Sequence, residues 1–356
     1  MKKMRQNTQL SRRVARFGGA TLCLLTLSTP AGAADLKQAV ARDGLSVLRA
    51  EVKAKRARWI VRTPPKGPDG LPAIYMVGGA AEEDETLYDD LASRAAARAA
   101  TEADWLPGGP LSADSELGRV DNLPEHFDWR SIGGLSYMPP VATAQGKCGA
   151  CVSFAVVAVL EAQLNIACNA AGKSFDLSRQ HFFSCGGGSC KTGWKLSNAV
   201  QTLTERGVPD TPCLPYLAAD GQDIGCEAAC SDHDDRAVRG IAAARPTVGI
   251  IDVQKIKQAL LKGPLVSNII LFEDLEFYGG GVYRHVSGNQ LGSHAIVLVG
   301  WDDADKAWIA RNSWGDAWGE QGYFRIAWDD VSLPGRYTWL LDVSLARLNG
   351  ICSEPR

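Results

Sequence analysis

The chain has 356 residues, and its 38 Lys and Arg against 40 Asp and Glu leave a formal charge of −2. No Lys/Arg block follows the first twenty residues, so nothing could track a phosphate backbone, and nucleic acid is not expected as a partner. The length exceeds what one small core needs and fits a catalytic unit of roughly 200–250 residues with accessory segments.

Residues 1–33 open with Lys2, Lys3, Arg5, Arg12, Arg13 and Arg16, pass through an apolar stretch from Ala20 to Leu27 and close on Ala31-Gly32-Ala33. That order reads as a secretory signal cut after Ala33. A membrane anchor is the alternative, but the apolar stretch is well short of the ~20 residues a span requires. Ser11 to Phe17 also partly resembles a twin-arginine export signal. With ten cysteines in the chain, export implies an oxidising compartment, and the protein is expected to be secreted or periplasmic. Cys23 leaves with the leader.

Residues 34–121 form a second region, free of cysteine. Ala-, Arg- and Glu-rich helical stretches at Leu36 to Arg56 and Glu82 to Ala103 flank the apolar runs Trp59 to Val61 and Ala73 to Val77. Gly/Pro patches at 64–72 and 107–110 punctuate it. We expect a propeptide that covers the active site, with the mature chain starting near Gly118 to Leu123; a retained accessory domain is the alternative. From residue 122 the chain becomes dense in Gly, Cys and aromatic residues. Gly149 to Cys168 is apolar on nearly all faces, with Glu161 its only charge, and predicts a central buried helix. Ala295 to Val299, Trp308 to Arg311 and Tyr323 to Trp328 have the composition of strands. The expectation is an α+β fold of two lobes, the first helical and the second strand-rich, with a cleft between them.

A thiol attacks a carbonyl carbon well only as thiolate, so it needs a partner for its proton and surroundings that favour negative charge. Cys151 ends the run Gln145-Gly146-Lys147-Cys148-Gly149-Ala150-Cys151 at the start of the predicted helix, where free N–H groups and the helix dipole stabilise an anion. This segment, read from Gln145 to Ala155, resembles the nucleophile segment of the papain family of cysteine peptidases. His294 lies 143 residues further on, within the spacing of roughly 130–150 that the family implies. Ser293 to Trp301 and Trp308 to Gly315 resemble the family's histidine and asparagine segments, and Pro124 to Arg130 is a fourth match.

The resemblance implies a papain-like fold for residues 122–356, with a β-barrel-like second lobe, and a thiol peptidase made as a zymogen. Cys151 would be the nucleophile, His294 the proton carrier at the mouth of a strand, and Asn312 the group that orients its ring. Gln145 and the Cys151 N–H would form the oxyanion hole. Gly149, Gly193, Asn268, Ser293 and Trp314 would contact substrate or cover the site, with Asn268 near the wall of the main specificity pocket. One departure stands out: Val152 occupies a position that is aromatic in the family, which leaves space in the packing without removing any proton carrier.

Eight cysteines remain besides Cys23 and Cys151, and the segments around Cys185, Cys190, Cys213, Cys226 and Cys230 look like the cathepsin B branch of the family. The resemblance implies Cys148–Cys190, Cys185–Cys226 and Cys213–Cys230; no family motif supports a bond between the remaining Cys168 and Cys352. Zinc on Cys185, Cys190, Cys226 and Cys230 is the competing reading, against which stand x4 and x3 spacings unlike the usual x2 knuckle. No metal and no cofactor is implied. The stretch between Cys213 and Cys226 contains no histidine and His233 lies alone beyond it, so the expected activity is endopeptidase rather than release of C-terminal dipeptides. Expected partners are a protein or peptide substrate and the chain's own propeptide as inhibitor, with no membrane insertion after leader removal, and the enzyme is expected to be a monomer. Two other functions share the same groups: an acyl-transferring enzyme of transglutaminase-like type, and a peptide-binding scaffold without catalysis.

Overall fold

The computed structural model describes residues 36–66, 123–141, 144–173, 175–343 and 352. The leader at 1–33, the run at 73–77, the helical stretch at 82–103 and the processing junction at 118–122 lie outside the described residues. The expected helical stretch 36–56 is two helices, α1 (Leu36–Asp43) and α2 (Ser46–Ala54). Gly44 separates them: at φ 71° it adopts a left-handed conformation, and its N–H closes the first helix on Val40 O at 2.8 Å. Leu48 and Val52, four apart, form the buried face of α2. Strand β1 (Arg58–Val61) then alternates exposed and buried, turning Trp59 and Val61 inward.

Strand β2 (His126–Asp128) precedes the central helix α3 (Cys151–Ala167), in which every residue from Cys151 to Ile166 is buried. Four of them are valines, which have poor helix propensity. Burial decides the outcome, because roughly 1.5–3 kcal/mol per enclosed aliphatic side chain outweighs a propensity deficit of about half a kcal/mol. The one charge in the helix is compensated: Glu161 pairs with Arg179 at 2.8 Å and accepts the Leu177 N–H at 2.8 Å. Helix α4 (Arg179–Gly186) begins on Ser178, whose Oγ accepts the His181 N–H, and ends on Gly187 at φ 94°. Helix α5 (Leu196–Arg206) and the single turn α6 (His233–Arg236) complete the first lobe.

Four disulfides staple this lobe: Cys148–Cys190, Cys185–Cys226, Cys213–Cys230 and Cys168–Cys352. The fourth, which no family motif supported, ties residue 352 to the C-cap of α3. All four cysteines of the competing zinc reading are thereby committed to disulfides. His233 is also not alone: its ring lies 5.1 Å from that of His181, because the Cys213–Cys230 bridge turns the chain back over α4.

The second lobe contains β3 (Ile241–Ala244), α7 (Val253–Leu260), β4 (Leu265–Phe272), β5 (Tyr278–Tyr283), β6 (Gln290–Asp302), β7 (Ala307–Arg311), β8 (Tyr323–Ala327) and β9 (Thr338–Val343). Among the described residues the strands join in the order β1-β5-β8-β7-β6-β4-β9-β3, with β2 added alongside β6. The β5–β8 pair is parallel and the other pairs are antiparallel. The longest ladder runs between β4 and β6, from Leu265↔Leu298 to Phe272↔Gln290. Gly300 is obligatory where β2 crosses β6, since a Cβ there would meet Phe127 O at 2.0 Å. Helix α3 packs against β6 and β9, which brings the start of the helix to the strand that carries His294.

Candidate active site

Cys151 is the first residue of α3, and its N-cap, Ala150, offers no side-chain acceptor to the helix N-terminus. Cys151 is the cysteine among the described residues that forms no disulfide, and it is fully buried. Its sulfur accepts the Ala295 N–H at 3.5 Å, so it rests directly against the strand at the residue after His294. His294 is the fifth residue of β6, inside the strand and not at its mouth, and pairs across the ladder with Ile269. The ladder with β4 holds its backbone, and β7 joins β6 on the other side from Val297 onward.

The hydrogen bonds decide the tautomer of His294. Asn312 Oδ1 accepts the Ser313 N–H at 2.8 Å, so the same oxygen must be the acceptor for the His294 Nε2 it faces at 2.8 Å. Nε2 therefore carries the proton, and Nδ1, which has no hydrogen-bond partner, is the basic atom. Burial pushes His294 down to about 4, while the bond to Asn312 pulls the other way. Trp314 lies over the imidazole with ring centroids 5.1 Å apart and is itself backed by Trp318 at 4.9 Å. The indole shields the His294–Asn312 bond from water.

Gln145 is 1 % exposed and held at every polar group. Its N–H donates to Ser313 O at 2.9 Å, its C=O accepts the Tyr216 hydroxyl at 2.7 Å, its Oε1 accepts the Ser313 hydroxyl, and its Nε2 donates to Cys148 O at 2.9 Å. That leaves one side-chain amide hydrogen beyond those bonds. Gly146 permits the sharp turn that follows: it sits at φ 66°, and a Cβ would meet Ala219 O at 2.1 Å.

Gly149 and Gly193 lie side by side, with a Cβ on Gly149 reaching Gly193 Cα at 3.1 Å and Cys190 O at 3.0 Å. The Gly193 N–H donates to Ser189 O at 2.7 Å and its C=O accepts the Ser189 N–H at 3.2 Å, so for an incoming backbone only the second lone pair of that C=O is open. Asn268 sits on β4 opposite Ala295, mostly buried, with Oδ1 unpartnered. Ser293 is partly exposed and pairs with Ile270. Val152 is fully buried, and the small cavity behind Asn312 is lined by Phe154, Ala155, Ala295 and Arg311 among others, not by Val152.

Ser313 and Tyr216 grip Gln145, yet sequence reasoning did not single them out. Ser313 lay inside a matched segment where its neighbours carried the pattern, and nothing local announces that its hydroxyl meets a residue 168 positions away. Among the described residues no cluster of His, Cys, Asp or Glu is placed to hold a metal ion, and no helix is long and apolar enough to cross a membrane.

Comparison with known proteins bears on this arrangement. The family model described as papain family cysteine protease matches residues 123–333. Cathepsin B-like CP2 of Giardia intestinalis is 34% identical over 213 residues, covering 58% of this chain and 69% of that protein. Among solved structures, proCathepsin B S9 from Trypanosoma congolense superposes with a TM-score of 0.62 at 21% identity, covering 83% of this chain and 96% of that one. A recombinant stem bromelain precursor gives a TM-score of 0.58 at 19% identity, covering 86% and 90%. At such identities the structural likeness speaks for the fold.

Proposed function

The chain belongs to the papain family of cysteine proteases and is a cysteine-type peptidase, and we propose that it hydrolyses peptide bonds with Cys151 as nucleophile and His294 as proton carrier. The observation that carries this assignment is the His294 ring: Nε2 is committed to Asn312, Nδ1 is free, and the next residue's N–H touches the Cys151 sulfur. His294 Nδ1 takes the thiol proton and the sulfur forms a bond to the substrate carbonyl carbon. The electron pair moves to the carbonyl oxygen, which the Cys151 N–H and the remaining Gln145 amide hydrogen receive. Collapse breaks the C–N bond, and the His294 proton leaves on the amine. Water then attacks the thioester, gives a proton to His294, and releases the acid and the thiol.

Desolvation alone keeps the ring neutral at pH 7, so the imidazolium form depends on a thiolate beside it, and the two groups titrate as one couple. Asn312 orients the ring and Ser313 orients the Gln145 amide. The substrate is a protein or peptide cut internally. Two features support this: the absence of histidine between Cys213 and Cys226, and the packing of His233 on His181.

Residues 34–121 are assigned as an inhibitory propeptide. The assignment is supported by the docking of β1 on β5 and of Leu36, whose N–H donates to Glu273 Oε2 at 3.0 Å, and by the precursor state of both structural neighbours. Export to an oxidising compartment fits the four disulfides, and the enzyme is taken to act as a monomer. The test is hydrolysis of a fluorogenic peptide panel by activated protein. Turnover that disappears in Cys151→Ala and is blocked by a thiol-directed epoxide supports the assignment. Absence of turnover in the activated wild type, with its disulfides intact, refutes it and leaves a peptide-binding scaffold.

A further inference from the structure

Arg311 is the last residue of β7, directly before Asn312, and is 5 % exposed. Its guanidinium forms no ion pair with a carboxylate among the described residues. Instead Nη1 donates to Pro139 O at 2.7 Å and Nη2 to Pro140 O at 2.8 Å. A buried cation with no carboxylate in contact, favoured only by Glu161 through space and by the Tyr323 side chain, is an expensive way to fill space, and an apolar side chain of similar length would suit stability better. What the fork supplies is position, because two parallel donors meet two consecutive carbonyls.

The segment it grips needs an external hold. Residues 139–141 belong to no helix or strand, and neither proline has an N–H with which to join a ladder. Farther along, Val141 packs where a Cβ on Gly322 would meet it at 2.8 Å, and Gly322 O accepts the Asn312 N–H at 2.9 Å. Gln145, later in the sequence, has its N–H bound to Ser313 O. Pro139 and Pro140 are thus bound to Arg311, and Gln145 to Ser313, so both sets of contacts fall on residues 311–313.

We propose that Arg311 is a positioning residue for the oxyanion limb of the site. By holding Pro139 and Pro140 against the strand that carries Asn312, it keeps the Gln145 amide in register with Cys151. This rests on the reading of Gln145 as an oxyanion donor. Arg311 makes these hydrogen bonds to Pro139 and Pro140 and none to Cys151 or His294, so the expected influence runs through Gln145.

The test is a double-mutant cycle on the full chain after activation, with active sites counted by epoxide titration so that misfolded protein does not enter kcat. Gln145→Ala is expected to lower kcat by about 100-fold or more, and Arg311→Met by about 10- to 100-fold with KM changed less than about twofold. The double variant should be no slower than Gln145→Ala alone. The pH–rate profile of Arg311→Met should match the wild type, since His294 is untouched. Arg311→Lys, which keeps the charge but not the fork, should recover only part of the rate; it serves for the same cycle where Arg311→Met does not fold. Losses that multiply in the double variant would overturn the proposal, as would an unchanged kcat in either Arg311 variant. Full activity in Gln145→Ala would instead refute the oxyanion reading, and the proposal with it.

Discussion

At the residue scale, the site depends on acceptors that fix which end of a side chain faces which neighbour. Asn312 Oδ1 holds Nε2 of His294 and leaves Nδ1 basic. Asn312→Ala frees the ring to rotate, and kcat is expected to fall by about 100-fold with KM little changed, as read by steady-state kinetics on titrated enzyme. Ser313→Ala removes the hydroxyl bound to Gln145 Oε1 without removing the oxyanion donor itself. Its kcat should fall by about tenfold, less than for Gln145→Ala; equal losses would mean that the hydroxyl has a role of its own. The candidates Cys151, His294, Asn312 and Gln145 were legible because each lies in a run of several matched neighbours. Ser313 and Arg311 were not, because their partners, Gln145 and Pro139-Pro140, are about 170 residues away in sequence.

At the scale of elements, the approach of two backbones sets the position of the nucleophile. Gly149 must come within about a methyl's width of Cys190 and Gly193, and the Cys148–Cys190 bond closes the same junction. Gly149→Ala should therefore destabilise the protein by about 1–3 kcal/mol and slow the reaction of Cys151 with the epoxide; an unchanged labelling rate would show that the junction yields without moving the thiol. The Cys168–Cys352 bridge spans 184 residues, and long loops lose most entropy on closure. Replacing both cysteines by serine is expected to cost on the order of 3–5 kcal/mol in denaturant unfolding. Trp59 sits between Tyr278 and Tyr283, at 6.5 and 5.5 Å, and its indole N–H donates to Arg284 O at 2.9 Å. Trp59→Ala removes that anchor at a cost of about 3 kcal/mol. Hydrogen exchange of the 58–62 amides should accelerate, and activity should appear sooner on activation. The apolar run of β1 and the buried helix α3 were readable from composition, whereas β5, with three glycines in six residues, was not. Its strand character comes from pairing with β1 and β8, which no local preference encodes.

For the whole molecule, the buried His181 couples stability to acidity. His181 is held near 4, first by burial and then by the neighbouring His233, with Asp234 opposing. Because this lies below the ordinary value of 6.5, the unfolded chain binds more protons than the folded one between about pH 6.5 and 4. Stability then falls as pH is lowered through that window and levels off below it. Denaturant midpoints at pH 7, 5 and 4 should fall in that order, and His181→Gln should flatten the slope; an unaltered slope would refute the burial argument for that residue. The sequence by itself determined the chemistry on offer, the helix that presents the thiol, three of the disulfides through the family pattern, and the two-lobe plan. Those features reside in contiguous runs, where periodicity and local residue company suffice. Only the tertiary structure decided the fourth disulfide, the tautomer of His294, the grip on Gln145 and the pairing of His233 with His181. Each depends on groups distant in the chain meeting in a low-dielectric interior, where an unpaired polar atom is costly enough to dictate its partner.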